Sequence, residues 1–194
     1  MGLREKSFSP FYLIAMDKKN VIPKIDELNL ITNMIYYKKK KDDKVQEVTE
    51  DFLDLLIEAY LLGFKNQAQE ERVDLVKLNQ AIYKEVGGET VVDRVRTYVE
   101  GEDVEALQKV MATEYHRNYN QGSYDGAKTT GIPTMKKWVT MRDDRVRDTH
   151  EFLEGVTIPI DEEFFTNDGD HALFPNGFEN PSNNINCRCV LEYI

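Results

Sequence analysis

The stretch Met135-Lys136-Lys137-Trp138-Val139-Thr140-Met141 decides how this chain is read. Met135, Lys137, Val139 and Met141 alternate with Lys136, Trp138, Thr140 and Arg142, and a period of two is the pattern of a strand. The 60-residue block that it opens, Met135 to Ile194, holds the only Trp, two of the three His and both Cys of the chain. Asp143 to Leu153 fits a short helix with Val146 and Leu153 on one side, capped by Asp143 or Asp144 and ended by Gly155. Val156 to Ile160 reads as a second strand, with Pro159 placing it at an edge. Asp161 to Asn184 is rich in Asp, Asn, Gly and Pro and reads as loop. Cys187 to Ile194 reads as a closing strand.

Outward from this block, toward the N-terminus, the period becomes helical. Val45, Val48, Phe52, Leu55, Ala59 and Leu62 keep the three/four spacing of one face over residues 45–69, with Asp and Glu gathered toward the start. A second helix is expected over 73–86 with Leu75, Leu78 and Ile82 inward, stopped by Gly87-Gly88. Thr90 caps a third over 91–100, and Asp103 caps a fourth from Val104 to about Asp125, near whose end Gly122 and Gly126 fall. Leu107, Val110, Met111, Tyr115 and Asn118 share a face of that helix, and Glu114 reads as an exposed acid pairing with Arg117 or Asn118. A short helix from about Leu28 either packs on the body or belongs to an arm ordered on assembly. The expected class is α+β: a basic, aromatic arm (1–44), a helical region packed as a bundle (45–131), and a small compact domain with a few strands and a short helix (132–194).

Charge separates the first segment from the rest. Residues 1–41 carry nine Lys/Arg against four acids, while the remaining residues carry sixteen against thirty-one. An acidic body disfavours wrapping nucleic acid over a broad surface. Tyr36, Tyr37 and the run Lys38, Lys39, Lys40 and Lys41 are therefore the expected contact with an acidic partner or DNA, unless the lysines are only a solvated loop. No apolar run is long enough for a membrane span and no secretory leader is legible, so cytosol-like surroundings are expected.

Asp143, Arg145, Arg147, His150, His171, Cys187 and Cys189 are the candidate chemistry. One reading is a structural zinc site using His150, Cys187, Cys189 and His171 or an Asp. On a flat strand the C-x-C sulfurs need a local turn to converge to the ~3.7 Å that zinc implies. A Cys187–Cys189 disulfide equally needs the backbone to turn, since alternate strand residues hold their Cα atoms roughly 6.5–7 Å apart. A second reading is catalytic, a small metal-dependent nuclease or processing enzyme built on Asp143, His150, Cys187 and Cys189, although no nucleophile elbow, phosphate loop or H-E-x-x-H helix is present. The favoured reading is structural. Arg145 and Arg147 pair with Asp143, Asp148 or backbone carbonyls, His150 bonds within the core, and the cysteines pack as small apolar residues; no resident cofactor is then required.

The ordered set Lys137-Trp138, Asp143-x-Arg145-x-Arg147-x-x-His150, Leu153-x-Gly155, Pro159-x-Asp161-Glu162-x-Phe164, Pro175 and Asn186-Cys187-Arg188-Cys189 resembles the phage head morphogenesis domain, the minor head protein family typified by the F protein of phage Mu. Thr113-Glu114, Asn120 and Gly122 extend the likeness, which covers about residues 104–192. The resemblance implies a minor capsid protein of a tailed phage or prophage. It also implies association with the portal or major capsid protein during head assembly, a place in the virion, and in some members contact with packaged DNA. It carries Trp138, Asp143, Arg145, Arg147, His150, Asn186, Cys187, Arg188 and Cys189 over as the domain's signature, here expected to be a structural nucleus. Some relatives bear an ADP-ribosyltransferase after the closing Cys pair; with the sequence ending at Ile194, none is expected here.

Overall fold

A computed structural model of the chain describes residues 23–39, 43–68 and 72–194. Five helices come first: α1 (Ile25–Lys38), α2 (Lys44–Ala68), α3 (Leu75–Ile82), α4 (Val91–Glu100) and α5 (Val104–Thr130). Then follow β1 (Met135–Val139), the one-turn helix α6 (Asp148–Glu151), β2 (Thr157–Pro159), β3 (Phe164–Phe165), β4 (His171–Ala172), α7 (Pro181–Asn184) and β5 (Val190–Tyr193). The α+β class and the order of its two parts are as the sequence reads.

The helix starts obey local chemistry. Asp74 accepts from the Val76 and Lys77 amides, Thr90 and Asp93 form a reciprocal capping box, and Asp103 accepts from the Ala106 amide at 2.9 Å. α1 packs on α5 through buried Leu28, Thr32 and Ile35, so between the two readings of this segment the structure selects packing on the body. α3 is shorter than its pattern: it ends at Ile82, and Leu75 is 74% exposed. Gly87 and Gly88, both at positive φ, close a tight turn bridged between Val86 and Glu89.

The longest departure concerns α5, which runs past Gly122 and Gly126 and ends at Gly131 in the left-handed conformation. Those two glycines do not stop the helix; they let it touch α2. A Cβ on Gly122 would stand 2.0 Å from the Tyr60 carbonyl oxygen, and one on Gly63 of α2 would stand 2.1 Å from the Tyr119 oxygen. The crossing of α2 and α5 is the most extensive helix contact in the protein.

Two hydrophobic clusters share α5. One joins Leu28, Ile35, Val48, Phe52, Leu56, Val95, Leu107 and Met111 among the helices. The other joins Tyr124 and Ala127 of α5 to Trp138, Leu153, Phe164, Phe174, Phe178, Cys187, Cys189 and Leu191. β1 is the centre of an antiparallel sheet of order β2-β1-β5, with Met135 opposite Pro159 and Trp138 opposite Leu191. Lys136 and Trp138 of β1 point inward, and Phe164↔Ala172 pair in a separate two-stranded ribbon. The expected helix over Asp143 to Leu153 reduces to α6, a single turn with Arg147 at its N-cap. Asp143 instead caps a turn through the Arg145 amide.

Candidate functional site: a cysteine–histidine nucleus under an asparagine ladder

His150 reaches the site from α6, and Cys187 and Cys189 reach it from the segment just before β5. The two cysteines therefore precede the closing strand instead of lying on it. Asn186 at φ 58° supplies the turn that a flat strand lacks. The result brings both sulfurs to one imidazole nitrogen, with Cys187 Sγ 3.6 Å and Cys189 Sγ 3.7 Å from His150 Nδ1. All three side chains are buried and both thiols are free.

Aromatic rings enclose the imidazole. Trp138 meets it edge-on with centroids 5.4 Å apart, and Phe178 lies at 5.3 Å. Trp138 also packs on Phe164 at 5.0 Å, so the single Trp joins the sheet to the nucleus. A cavity of about 10 Å³ adjoins the cluster, lined by His150, Cys187, Cys189, Met141 and residues of the turn from Arg145 to Arg147. That volume holds one water-sized group.

The thiols differ in acidity. The hydrogen bond from Cys189 holds the Cys187 thiol well below its usual range despite burial, with His150 adding to the effect. The same bond, burial and the Cys187 charge push Cys189 up. The two thiols therefore titrate as a pair.

The arginines clamp the surroundings, in a different distribution from that expected. Arg188, not Arg145, pairs with Asp143, donating both guanidinium nitrogens to its two oxygens at 2.7 and 2.6 Å. This bond first, and the Arg145 amide, hold the exposed Asp143 carboxyl below its usual range. Arg147 donates to the Ser182 and Ile185 carbonyls, fastening α6 to α7. Arg145 is exposed.

Three asparagines fix the C-x-C backbone: Asn120, which belongs to the family likeness, and Asn176 and Asn184, which read only as loop. Asn120 of α5 donates to the Cys189 carbonyl at 3.1 Å and to Asn176 Oδ1. Asn176, in the left-handed conformation at φ 65°, donates to the Asn184 carbonyl and the Cys187 carbonyl. Asn184 bonds both the amide and the carbonyl of Phe178. Buried amides in such a chain leave few backbone groups of the loop unpaired, which costs more than the bonds gain.

Below this ladder α5 carries a buried ion triad. Glu114 accepts from Arg94 at 2.8 Å and from Arg117 Nε at 2.7 Å. Glu114 is therefore buried and not an exposed acid; its pairing with Arg117 is as the sequence reads. Burial raises its carboxyl, but Arg117 and Arg94 outweigh burial and hold it below the usual range. His116, two residues further along α5, is buried with neither ring nitrogen bonded. Burial lowers its pKa, against the pull of Cys187.

Two other assignments change. His171 is half-exposed on β4 and pairs with Glu163 at 3.0 Å; among the described residues the group able to share one metal ion is His150, Cys187 and Cys189. Tyr36 is buried under Lys44, whose Nζ sits 3.4 Å from the ring centroid, so it is not a contact for a partner. Tyr37 is 71% exposed, Lys38 is exposed, and Lys39 pairs with Asp51. Lys40 and Lys41 lie outside the described residues.

A helical body carries a small three-stranded domain, closed by a buried His-Cys-Cys nucleus beside an arginine-rich turn. Sequence comparison agrees with the resemblance of the motif, and the chain belongs to the family described as Phage Mu protein F like protein, which matches residues 75–192. The match begins earlier than the motif, taking in α3 and α4. The family is one of phage head morphogenesis and minor capsid proteins. It is also 41% identical over 70 residues to an NAD(+)–arginine ADP-ribosyltransferase EFV of Enterococcus faecalis (strain ATCC 700802 / V583), over 36% of this chain and 14% of that protein. The chain thus spans a small part of that relative's length. No solved structure matches significantly. No helix among the described residues is long and apolar enough to cross a membrane.

Proposed function

We propose that the protein is a non-enzymatic building part of the head that binds the portal protein or the inner face of the major capsid shell during assembly and stays in the virion. Membership of the head morphogenesis family carries this reading. Burial of the one Cys–His cluster supports the absence of catalysis, because a cavity of about 10 Å³ beside it admits no substrate. The rival nuclease or processing site loses a member as well: Asp143 is exposed and held by both arms of Arg188, apart from the buried thiols.

The contact face is the end of α1, at Tyr37 and Lys38. It presents an aromatic ring and positive charge on an otherwise acidic protein, which suits an acidic patch on a neighbour or the phosphates of packaged DNA. Leu28, Ile35 and Tyr36 belong to the core, so the test must spare α1. Co-purification with the portal protein is measured for the intact chain, for a chain lacking residues 1–22, and for Tyr37→Ala with Lys38→Glu. Loss of capture by the Tyr37→Ala, Lys38→Glu chain is expected, and full capture by it removes this face from the account; the chain lacking residues 1–22 shows whether the preceding arm adds to the contact. A salt-titrated DNA-binding assay on the same three proteins separates phosphate contact from protein contact.

A further inference from the structure

We infer that His150, Cys187 and Cys189 bind one Zn²⁺ ion through Nδ1 and two thiolates, with a water in the fourth position. The inference stands apart from partner binding and rests on the nucleus itself.

The first support is geometry. Bonds of about 2.3 Å to sulfur and 2.0–2.1 Å to nitrogen, at tetrahedral angles, place a zinc-bound sulfur and nitrogen about 3.6 Å apart. The two sulfur-to-Nδ1 separations are 3.6 and 3.7 Å, and all three donor atoms lie within 4.8 Å of one another. Both sulfurs face the same nitrogen. A single S–H···N bond accounts for one of those approaches, whereas one ion between the three donors accounts for both.

The second support is the donor set. Two thiolates with an imidazole select zinc over magnesium or calcium, which take oxygen ligands. Two thiolates and Zn²⁺ cancel in charge, so the metal removes the cost of an anion in this aromatic pocket. With metal on Nδ1, the ring proton rests on Nε2, a buried atom with no other partner. Among the described residues no fourth His, Cys, Asp or Glu joins this group: His171 is occupied by Glu163 and Asp143 by Arg188. The adjoining cavity of about 10 Å³ has room for one water, the ligand that an open tetrahedral position takes.

The third support is placement. The metal would join α6 to the segment before β5, residues 37 and 39 positions apart. A tie across that gap is where a small loop-rich domain gains most from an ion.

The test uses the full chain, purified reduced and without chelator, with metal measured by plasma mass spectrometry. One zinc per chain is expected. Cobalt exchanged into the same site should show thiolate-to-metal charge transfer and the strong visible bands of tetrahedral coordination. Cys187→Ser, Cys189→Ser and His150→Gln should each lose the metal, while His171→Gln keeps it. If the cysteine variants fail to fold, the cobalt spectrum of the wild type still decides. The inference is overturned if the folded, reduced wild type takes up no zinc from a zinc buffer. It is equally overturned if the freshly isolated protein carries a Cys187–Cys189 disulfide in place of metal, or if His171→Gln loses zinc as His150→Gln does.

Discussion

Gly122→Ala tests the helix crossing that organises the fold, because two physical effects predict opposite signs. In an isolated helix, Gly to Ala stabilises by about 1 kcal/mol. In this protein the added Cβ lands 2.0 Å from the Tyr60 carbonyl oxygen, 2.8 Å from its carbon and 3.0 Å from its Cα. An ordinary contact begins near 3.4 Å, so α5 must retreat from α2 by roughly 1.4 Å at that point. All three atoms are backbone, and no side-chain rotation relieves them. Overpacking of this kind costs about 3 kcal/mol or more. Set against the propensity gain, the net loss is about 2 kcal/mol, and for a chain of this size that lowers Tm by about 4–8 °C. Thermal and urea unfolding followed by circular dichroism read the change. Gly63→Ala strains the same crossing from the other side, so the double variant should lose less than the two single losses together. A Tm at or above wild type for Gly122→Ala would falsify the close crossing and return the glycine to a role at a helix end.

Glu114→Ala leaves Arg117 buried without its counter-charge and should cost about 3–5 kcal/mol in urea unfolding, with Arg117→Met in the same chain restoring part of the loss; a cost under about 1 kcal/mol would mean the triad is solvated. Lys136 is buried against Tyr124 and Phe164, donates to the Leu173 carbonyl at 2.8 Å, and is lowered by burial from 10.5 to about 8. Between those values the unfolded chain binds the proton that the folded chain has released, so stability rises with pH from about 8, by up to about 3 kcal/mol. Lys136→Met should abolish that slope in unfolding curves taken from neutral pH to pH ~10, above which tyrosine ionisation intervenes; an unchanged slope assigns it to another group.

The fold was legible wherever a local rule sets the answer. Thr90, Asp103 and the three/four spacing of α2 announce their helices, and the alternation around Trp138 announces β1. The reading failed where burial came from a neighbour. α5 carries Glu114, His116, Arg117, Asn118 and Asn120, a polar surface that a helix normally turns to water, yet it is enclosed by helices on one side and the sheet domain on the other. Glu114 is met by Arg94, and Asn120 by Asn176 and the Cys189 carbonyl, partners 20 to 69 residues away that no window of sequence connects. The same holds for the cysteines. Their meeting with His150 depends on Asn186 at positive φ, and in a stretch already rich in Asn that residue reads only as loop. The signal available was the repetition itself: Asn176, Asn180, Asn183, Asn184 and Asn186 crowd eleven positions, and all but Asn186 bond within the loop or to its neighbours. Tyr36 and Tyr37 show the limit in small: adjacent and identical in type, one is core and the other surface, and only the path of α1 over α5 separates them.

Because α5 passes through both apolar clusters, the joint at Gly131 is a boundary of sequence and not of cooperativity. Tyr124, Ala127 and Asn120 lie on its N-terminal side, yet they form the floor on which Trp138, Phe174 and the cysteine segment rest. A protease cut in the short connection to β1 would leave two fragments still held together, melting as one. An isolated C-terminal piece would begin life with its base missing.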